Sequence, residues 1–257
     1  MQTEDYNYLY ELEENFWWFA GMREITAALL DPVCPPNKSR NILDAGCGTG
    51  GMLTWLRRYA GDNGEVAGID FVLTALEFCR ERDHKYLAQA TATDLPFAGG
   101  VFDLVTSFDV LVQIPGAGSD EQAMREMHRV LRPGGIAFVR CAAYGWMLSG
   151  HDQALGTQRR YSLKELTEKM QRANFEIVRT TYANGLLLPV AVVRRLLLKP
   201  LGLADKGSDV KPLPENLQWL NRRLSRILAS EAGFLRRNTK GLPAGLSTIC
   251  VARKPIV

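Results

Sequence analysis

The sequence predicts an α/β fold built on a largely parallel sheet, and three observations predict it. From Asn41 onward, short apolar runs alternate with amphipathic stretches of helical spacing, the order that produces parallel strands joined by helices. Residues 44–51, Asp-Ala-Gly-Cys-Gly-Thr-Gly-Gly, set a glycine-dense turn between the first run and the helix after it. With no Cβ in the way, a ligand can touch the backbone there. Phe102–Asp109 reads as a strand buried on both faces, as the middle of such a sheet requires.

With 257 residues, the chain can build one large domain with an added lobe. A composition of 46% hydrophobic and 23% charged residues is that of a globular protein, and a net charge of +3 is too mild to argue for nucleic acid. The cysteines at 34, 47, 79, 141 and 250 have no metal-ligand spacing, which points to reduced thiols, no metal and a cytoplasmic location. The acidic start is unlike a signal peptide, and no run of 18 apolar residues could span a membrane.

Residues 1–40 form a cap. Tyr6, Leu9, Tyr10, Leu12, Phe16–Phe19, Met22, Ile25 and Leu29 recur at helical spacing until the breakers of 31–39. Two readings stand: a helix pair packed on the domain, or a lid over the ligand mouth with Arg23 reaching a carboxylate. Strand one ends at Asp44, and a helix runs over Met52–Tyr59. Strand two, Glu65–Ile69, ends in Asp70, and a helix follows at 73–82. Strand three is Tyr86–Ala90 and strand four Phe102–Asp109. Helix Asp120–Leu131 stops at Leu-Arg-Pro-Gly-Gly135, before strand five at Ile136–Cys141. A capping box, Ser162-x-x-Glu165, opens helix Leu163–Ala173. Strand six is Phe175–Tyr182 and the last strand Leu246–Arg253. Between them, 185–245 is an insertion with eleven lysines and arginines against four acids, a Pro-rich break at 206–215 and a basic amphipathic helix at 217–228. A lid, a dimer element and a membrane-surface element all suit it.

The glycine turn offers N–H groups and a helix N-terminus to a polar ligand. Gly46-x-Gly48-x-x-Gly51 fits a dinucleotide fingerprint, with Asp70 at the ribose distance. An acid two residues before the first glycine better suits a ligand carrying an ammonium group. The spelling Asp44-x-Gly-x-Gly-x-Gly50, together with Leu95-Pro-Phe97 and Leu131-Arg-Pro-Gly-Gly135, resembles the class I S-adenosylmethionine (SAM)-dependent methyltransferases, in particular the bacterial small-molecule "type 11"-like group. The resemblance covers 41–184 and 246–253. It implies a Rossmann-like seven-stranded sheet whose last strand is antiparallel, with an N-terminal helical cap and a helical insertion before that strand. The domains are then 1–40, 41–184 with 246–257, and 185–245.

The resemblance also implies SAM as cofactor and S-adenosylhomocysteine (SAH) as product. Asp44, Ala45, Gly46, Cys47 and Gly48 would hold the methionine end with Arg23, and Asp70 the ribose. Phe71, Thr91 and Ala92 would frame the adenine, with Phe108 beside them. The sequence departs from the family at Thr91, where relatives carry an acid, and at Gln113, where they often carry histidine.

The long 144–161 connection lies at the ligand edge of the sheet and gathers reactive groups. His151, oriented by Asp152 and joined by Tyr161, could take a proton from an acceptor. Arg159 and Arg160 could clamp an anionic substrate, beside Tyr144 and Trp146. The competing reading is a loop tied down by its own salt bridges, with methyl transfer driven by proximity alone. The expected function is methylation of a small-molecule or lipid-like acceptor in secondary metabolism or cell-envelope biosynthesis. The protein would act as a monomer or homodimer, without nucleic acid, and could touch the membrane through 185–245. The alternative is a SAM-fold protein without methyl transfer, a cyclase or scaffolding partner, motivated by Thr91 and Gln113.

Overall fold

The computed structural model describes residues 3–148, 152, 156–194 and 218–256. In chain order the elements are α1 (Thr3–Asn15), α2 (Trp17–Leu30), β1 (Ile42–Ala45), α3 (Gly51–Ala60), β2 (Val66–Asp70), α4 (Leu73–Glu81), β3 (Tyr86–Gln89), β4 (Phe102–Phe108) and α5 (Ser119–Val130). There follow β5 (Leu131–Ala142), a short 3-10 turn (Gly145–Met147), α6 (Leu163–Arg172), β6 (Glu176–Ala183), α7 (Leu188–Val193), α8 (Gln218–Arg237) and β7 (Ser247–Arg253).

Seven strands form one sheet in the order β3-β2-β1-β4-β5-β7-β6. β7 runs antiparallel between β5 and β6, and the other pairings are parallel. The order reverses between β1 and β4, so a crevice opens beyond the carboxyl ends of those two strands. Strand alternation splits the core into two layers. Ile136 and Phe138 of β5 face α2, α3 and α8, whereas Ala137, Val139 and Cys141 face α5 and α6.

The stretch Leu131–Gly135 differs from the expected turn. β5 begins directly at Leu131, which pairs with Phe102. Gly134 N–H donates to Lys254 O at 2.9 Å, and Lys254 Nζ reaches the carbonyls of His128 (2.8 Å) and Leu131 (2.7 Å). A lysine just after the last strand thus satisfies the carbonyl end of α5.

The second half of the insertion belongs to the core. The apolar stripe of α8, Leu228, Ala232 and Leu235, is buried against α2 and the sheet. Gly21 permits the close crossing, since a Cβ there would stand 2.4 Å from Leu228 Cβ. Asn221 of α8 accepts from Trp17 N–H at 2.7 Å and donates to Asn15 O at 2.9 Å, capping the break between α1 and α2. Buried Glu231 accepts the N–H groups of Asn184 (2.8 Å) and Leu186 (2.7 Å). Packing therefore accounts for the apolar stripe from Leu228 onward, whereas Trp219, in the earlier part of the helix, is exposed. The Pro-rich break lies outside the described residues, and no helix among them is long and apolar enough to cross a membrane.

Candidate active site

The glycine turn is laced to β2. Gly46 and Cys47 N–H groups both donate to Ile69 O, at 2.9 and 2.8 Å. Gly46 has φ 98°, and a Cβ there would stand 2.1 Å from Val110 Cγ2, so only glycine fits. Asp44, at the end of β1, is 1% exposed and accepts the Thr106 hydroxyl at 2.7 Å. Burial pushes its carboxyl up to about 7, against the opposing hydrogen bond. At the end of β2, Asp70 accepts Gly48 N–H on Oδ2 and Val72 N–H on Oδ1, both at 2.9 Å. Each oxygen keeps lone-pair capacity for a ligand hydroxyl. Burial raises the Asp70 pKa and the backbone N–H groups oppose the rise.

A third carboxylate, invisible to motif reading, comes from the cap. Glu13 Oε2 accepts the Thr49 hydroxyl at 2.6 Å and Gly51 N–H at 2.9 Å, at the N-terminus of α3. Arg82 stands 3.6 Å from the same oxygen, donates to Thr49 O (3.0 Å) and Tyr10 O (2.7 Å), and lies over the Tyr10 ring at 4.2 Å. α1 is thereby docked on the turn. Burial raises the Glu13 pKa, opposed by its bonds to Thr49 and Gly51.

These groups open into a cavity of about 950 Å³. Its wall includes Asp44, Gly46, Cys47, Gly48, Asp70, Phe71, Thr91, Ala92 and Phe108. Tyr6, Phe16, Trp17, Trp18 and Phe19 of the cap roof it, joined by Leu187 and Val190 from the insertion. Phe71 is exposed at the rim. The Thr91 hydroxyl meets the Thr93 hydroxyl at 2.6 Å and accepts Thr93 N–H at 3.0 Å, leaving no acid at the position where relatives place one.

Two of the cofactor-side residues lie off the cavity wall. Arg23 points away from the cavity: its guanidinium donates to Glu13 O and Glu14 O, both at 2.7 Å, and so caps the carbonyl end of α1. Ala45 is buried beneath the turn and lies outside the wall.

The acceptor-side expectations divide further. Tyr161 is fully buried, off the cavity wall, and donates to Asp120 Oδ2 at 2.7 Å. Burial first, and the Asp120 carboxylate with it, push its phenol up, which is wrong for a proton carrier. Burial opposes ionisation of Asp120, but Lys169 at 2.6 Å, Tyr161 and Arg159 at 2.8 Å hold its carboxyl down at about 2. Arg159 also donates to the carbonyls of Ile114 and Gly116, so its guanidinium ties the loop to its neighbours and is off the cavity wall. Asp152 and Arg160 do line the cavity, as a buried pair at 2.7 Å, with Arg160 also bonded to Ala143 O at 2.9 Å. Tyr144 stacks between Trp146 (5.6 Å) and Tyr182 (5.2 Å), outside the wall. His151 lies outside the described residues.

A pair at the ends of β4 and β5 completes the wall. Arg140, 5% exposed, holds Asp109 Oδ2 with both Nε and Nη2 at 2.8 Å. Neither residue of the pair is marked by a motif: Asp109 closes strand four, and Arg140 stands in the apolar run Ile136–Cys141.

With this geometry in place, comparison with known proteins is informative. A sequence profile for the methyltransferase domain matches residues 43–139. The demethylmenaquinone methyltransferase of Staphylococcus aureus (strain MRSA252) is 38% identical over 103 residues, which are 38% of this chain and 42% of that protein. The match therefore spans less than half of that relative's length. Among solved structures, a SAM-dependent methyltransferase of Thermotoga maritima aligns with TM-score 0.58 and 17% identity, covering 98% of this chain and 95% of that one. The [4+2]-cyclase SpnF aligns with TM-score 0.55 and 21% identity, covering 91% and 82%. Both structural likenesses are of fold.

Proposed function

We propose that this chain, a class I SAM-dependent methyltransferase by its fold and by the domain at residues 43–139, transfers a methyl group from SAM to a small apolar acceptor held in the same cavity. One observation carries the reading: Asp44, the glycine turn and Asp70 open together, at the sheet's switch point, into a largely apolar cavity of about 950 Å³ roofed by aromatic side chains. Pockets for drug-sized ligands run from about 300 to 1,000 Å³, so this one has room for a cofactor and a second molecule.

The residues present fit SAM. Glu13, Asp44 and Asp70 put three carboxylates on the wall, which suits a ligand with cationic centres. Asp44 and the turn at Gly46–Gly48 would hold the methionine end and Asp70 the ribose hydroxyls. Phe71, Ala92 and the Thr91–Thr93 hydroxyl pair would frame the adenine. When bound, SAM supplies a methyl group activated by its positive sulfur. The chain's own contribution is alignment and exclusion of water: Tyr6, Trp17, Trp18 and Phe19 roof the cavity, and α8 holds α2 in place. Of the three residues considered for proton handling, Asp152 lines the wall, where Arg160 holds its carboxylate. This favours transfer by proximity, with proton removal at His151 a separate proposal.

The relative that acts on demethylmenaquinone makes a quinone-type acceptor the first to try. The cyclase reading rests on a shared fold alone, and the intact turn with both acids supports the methyltransferase. The test is calorimetric titration with SAH of wild type and Asp70→Ala, followed by transfer of labelled methyl from SAM to reduced demethylmenaquinone. Roughly micromolar binding that collapses in the variant is expected. Folded wild type that binds no SAH overturns the reading; binding without transfer eliminates that acceptor.

A further inference from the structure

We propose that Arg140 selects the acceptor by taking an acidic oxygen, as carboxylate, phenolate or enolate, on a planar apolar molecule lying beside the cofactor. The inference rests on the reading that one cavity holds both molecules.

A charge inside a buried strand needs a reason, because desolvating it is costly unless it is paired. Arg140 is paired, but on one edge only. Its Nε and Nη2 both meet Asp109 Oδ2 at 2.8 Å. Asp109 is turned for this purpose: it adopts φ 60°, uncommon for a residue other than glycine, while its N–H donates to Arg140 O at 2.9 Å. Trp18 and Phe108 flank the guanidinium, with ring centroids at 4.8 and 5.0 Å. The group is thus fixed on one edge and held against aromatic rings. Its Nη1, with two N–H donors, has no acceptor among the described residues, and Arg140 lines the cavity.

Position separates this donor from the cofactor groups. Arg140 on β5 and Asp44 on β1 are two strand spacings apart, about 10 Å across the sheet. Further along the same wall, Asn184 is buried with a side-chain oxygen that has no partner among the described residues. The wall therefore offers a fixed cationic donor set between two aromatic rings and, separately, a neutral hydrogen-bond acceptor. An arginine stays protonated at neutral pH, so Arg140 acts by binding and by favouring the deprotonated oxygen, not as a base.

The test uses protein saturated with SAH, titrated calorimetrically with 1-naphthoate and with neutral 1-naphthylmethanol as probes of one ring and two charges. Wild type is expected to prefer naphthoate by about tenfold or more, the scale of one charge-assisted hydrogen bond. Arg140→Met, compared at its own saturating SAH concentration, should bind the two probes equally. Arg140→Lys keeps the charge without the planar fork and should retain a preference of only a few fold. Wild type that binds neither probe, or both equally, overturns the proposal. So does a preference that survives in Arg140→Met or, should that variant not fold, one undiminished in Arg140→Lys. Wild type that binds no SAH, yet still prefers naphthoate when titrated without it, would instead refute the cofactor reading alone.

Discussion

Replacing Asp44 by asparagine should make the ligand-free protein more stable at neutral pH and, on the proposed site, weaken its binding of SAH. Asp44 is 1% exposed, and burial pushes its carboxyl from 3.8 up to about 7. Three pH units at about 1.4 kcal/mol each make the ionised carboxylate cost on the order of 4 kcal/mol of folding stability above pH 7. The native state holds the proton more tightly than the unfolded chain. Stability therefore falls as pH rises from about 4 to about 7 and is level beyond. At pH 5 the cost has shrunk to about 1.5 kcal/mol. Asparagine has no charge to desolvate, and its oxygen can still accept the Thr106 hydroxyl. For a chain of this size, 1 kcal/mol moves the melting temperature by about 2–4 °C. Asp44→Asn should then melt higher than wild type by about 8–16 °C at pH 8 and by about 3–6 °C at pH 5. Wild-type affinity for SAH should drop nearly tenfold per pH unit below 7, whereas the variant binds weakly at every pH. Melting curves at the two pH values, with calorimetry on the same samples, decide it. A variant that melts below wild type at pH 8, or by the same margin at both pH values, refutes the reasoning.

Three further substitutions probe other parts of the site. Gly46→Ala forces a Cβ to 2.1 Å from Val110 at φ 98° and should cost about 2 kcal/mol or more in urea unfolding, with SAH binding lost. Glu13→Ala leaves Gly51 N–H and the Thr49 hydroxyl without their partner; about 1–2 kcal/mol of stability should go, and α1 amides should exchange faster with deuterium. Tyr161→Phe removes one buried hydrogen bond to Asp120 and should lower stability by about 1 kcal/mol while leaving SAH affinity unchanged. Lost turnover in a Tyr161→Phe protein of unaltered melting temperature would restore Tyr161 to the chemistry.

What could be read in the sequence was local. Alternating strands and helices set the parallel sheet, and the acid–glycine spelling at 44–50 marks where the first strand meets the cavity, because both depend on neighbours within a few residues. Partners distant in sequence were not legible. Glu13 reaches Thr49 and Gly51 only once α1 docks, and Arg140 meets Asp109 through the pairing of β4 with β5. The 144–161 loop misled for the same reason. Its arginines and tyrosine look like a reactive cluster, yet Asp120 on α5 claims Arg159 and Tyr161. The helix of the insertion likewise hides its role, because the residues that pack on α2, Leu228, Ala232 and Leu235, meet it only in the fold.

The contact between Trp17 and Asn221 spans 204 residues, and it closes the roof of the cavity. A ribosome adds about 5–20 residues per second, so α2 waits roughly 10–40 s for the helix that fixes it. During that interval the nascent chain holds Phe16, Trp17, Trp18 and Phe19 without their final partner. The cofactor edge of the sheet can form early, but its roof is among the last parts to assemble. The newborn protein thus passes through a stage with an aromatic surface open to chaperones or to other copies of itself, and α8 brings that stage to an end.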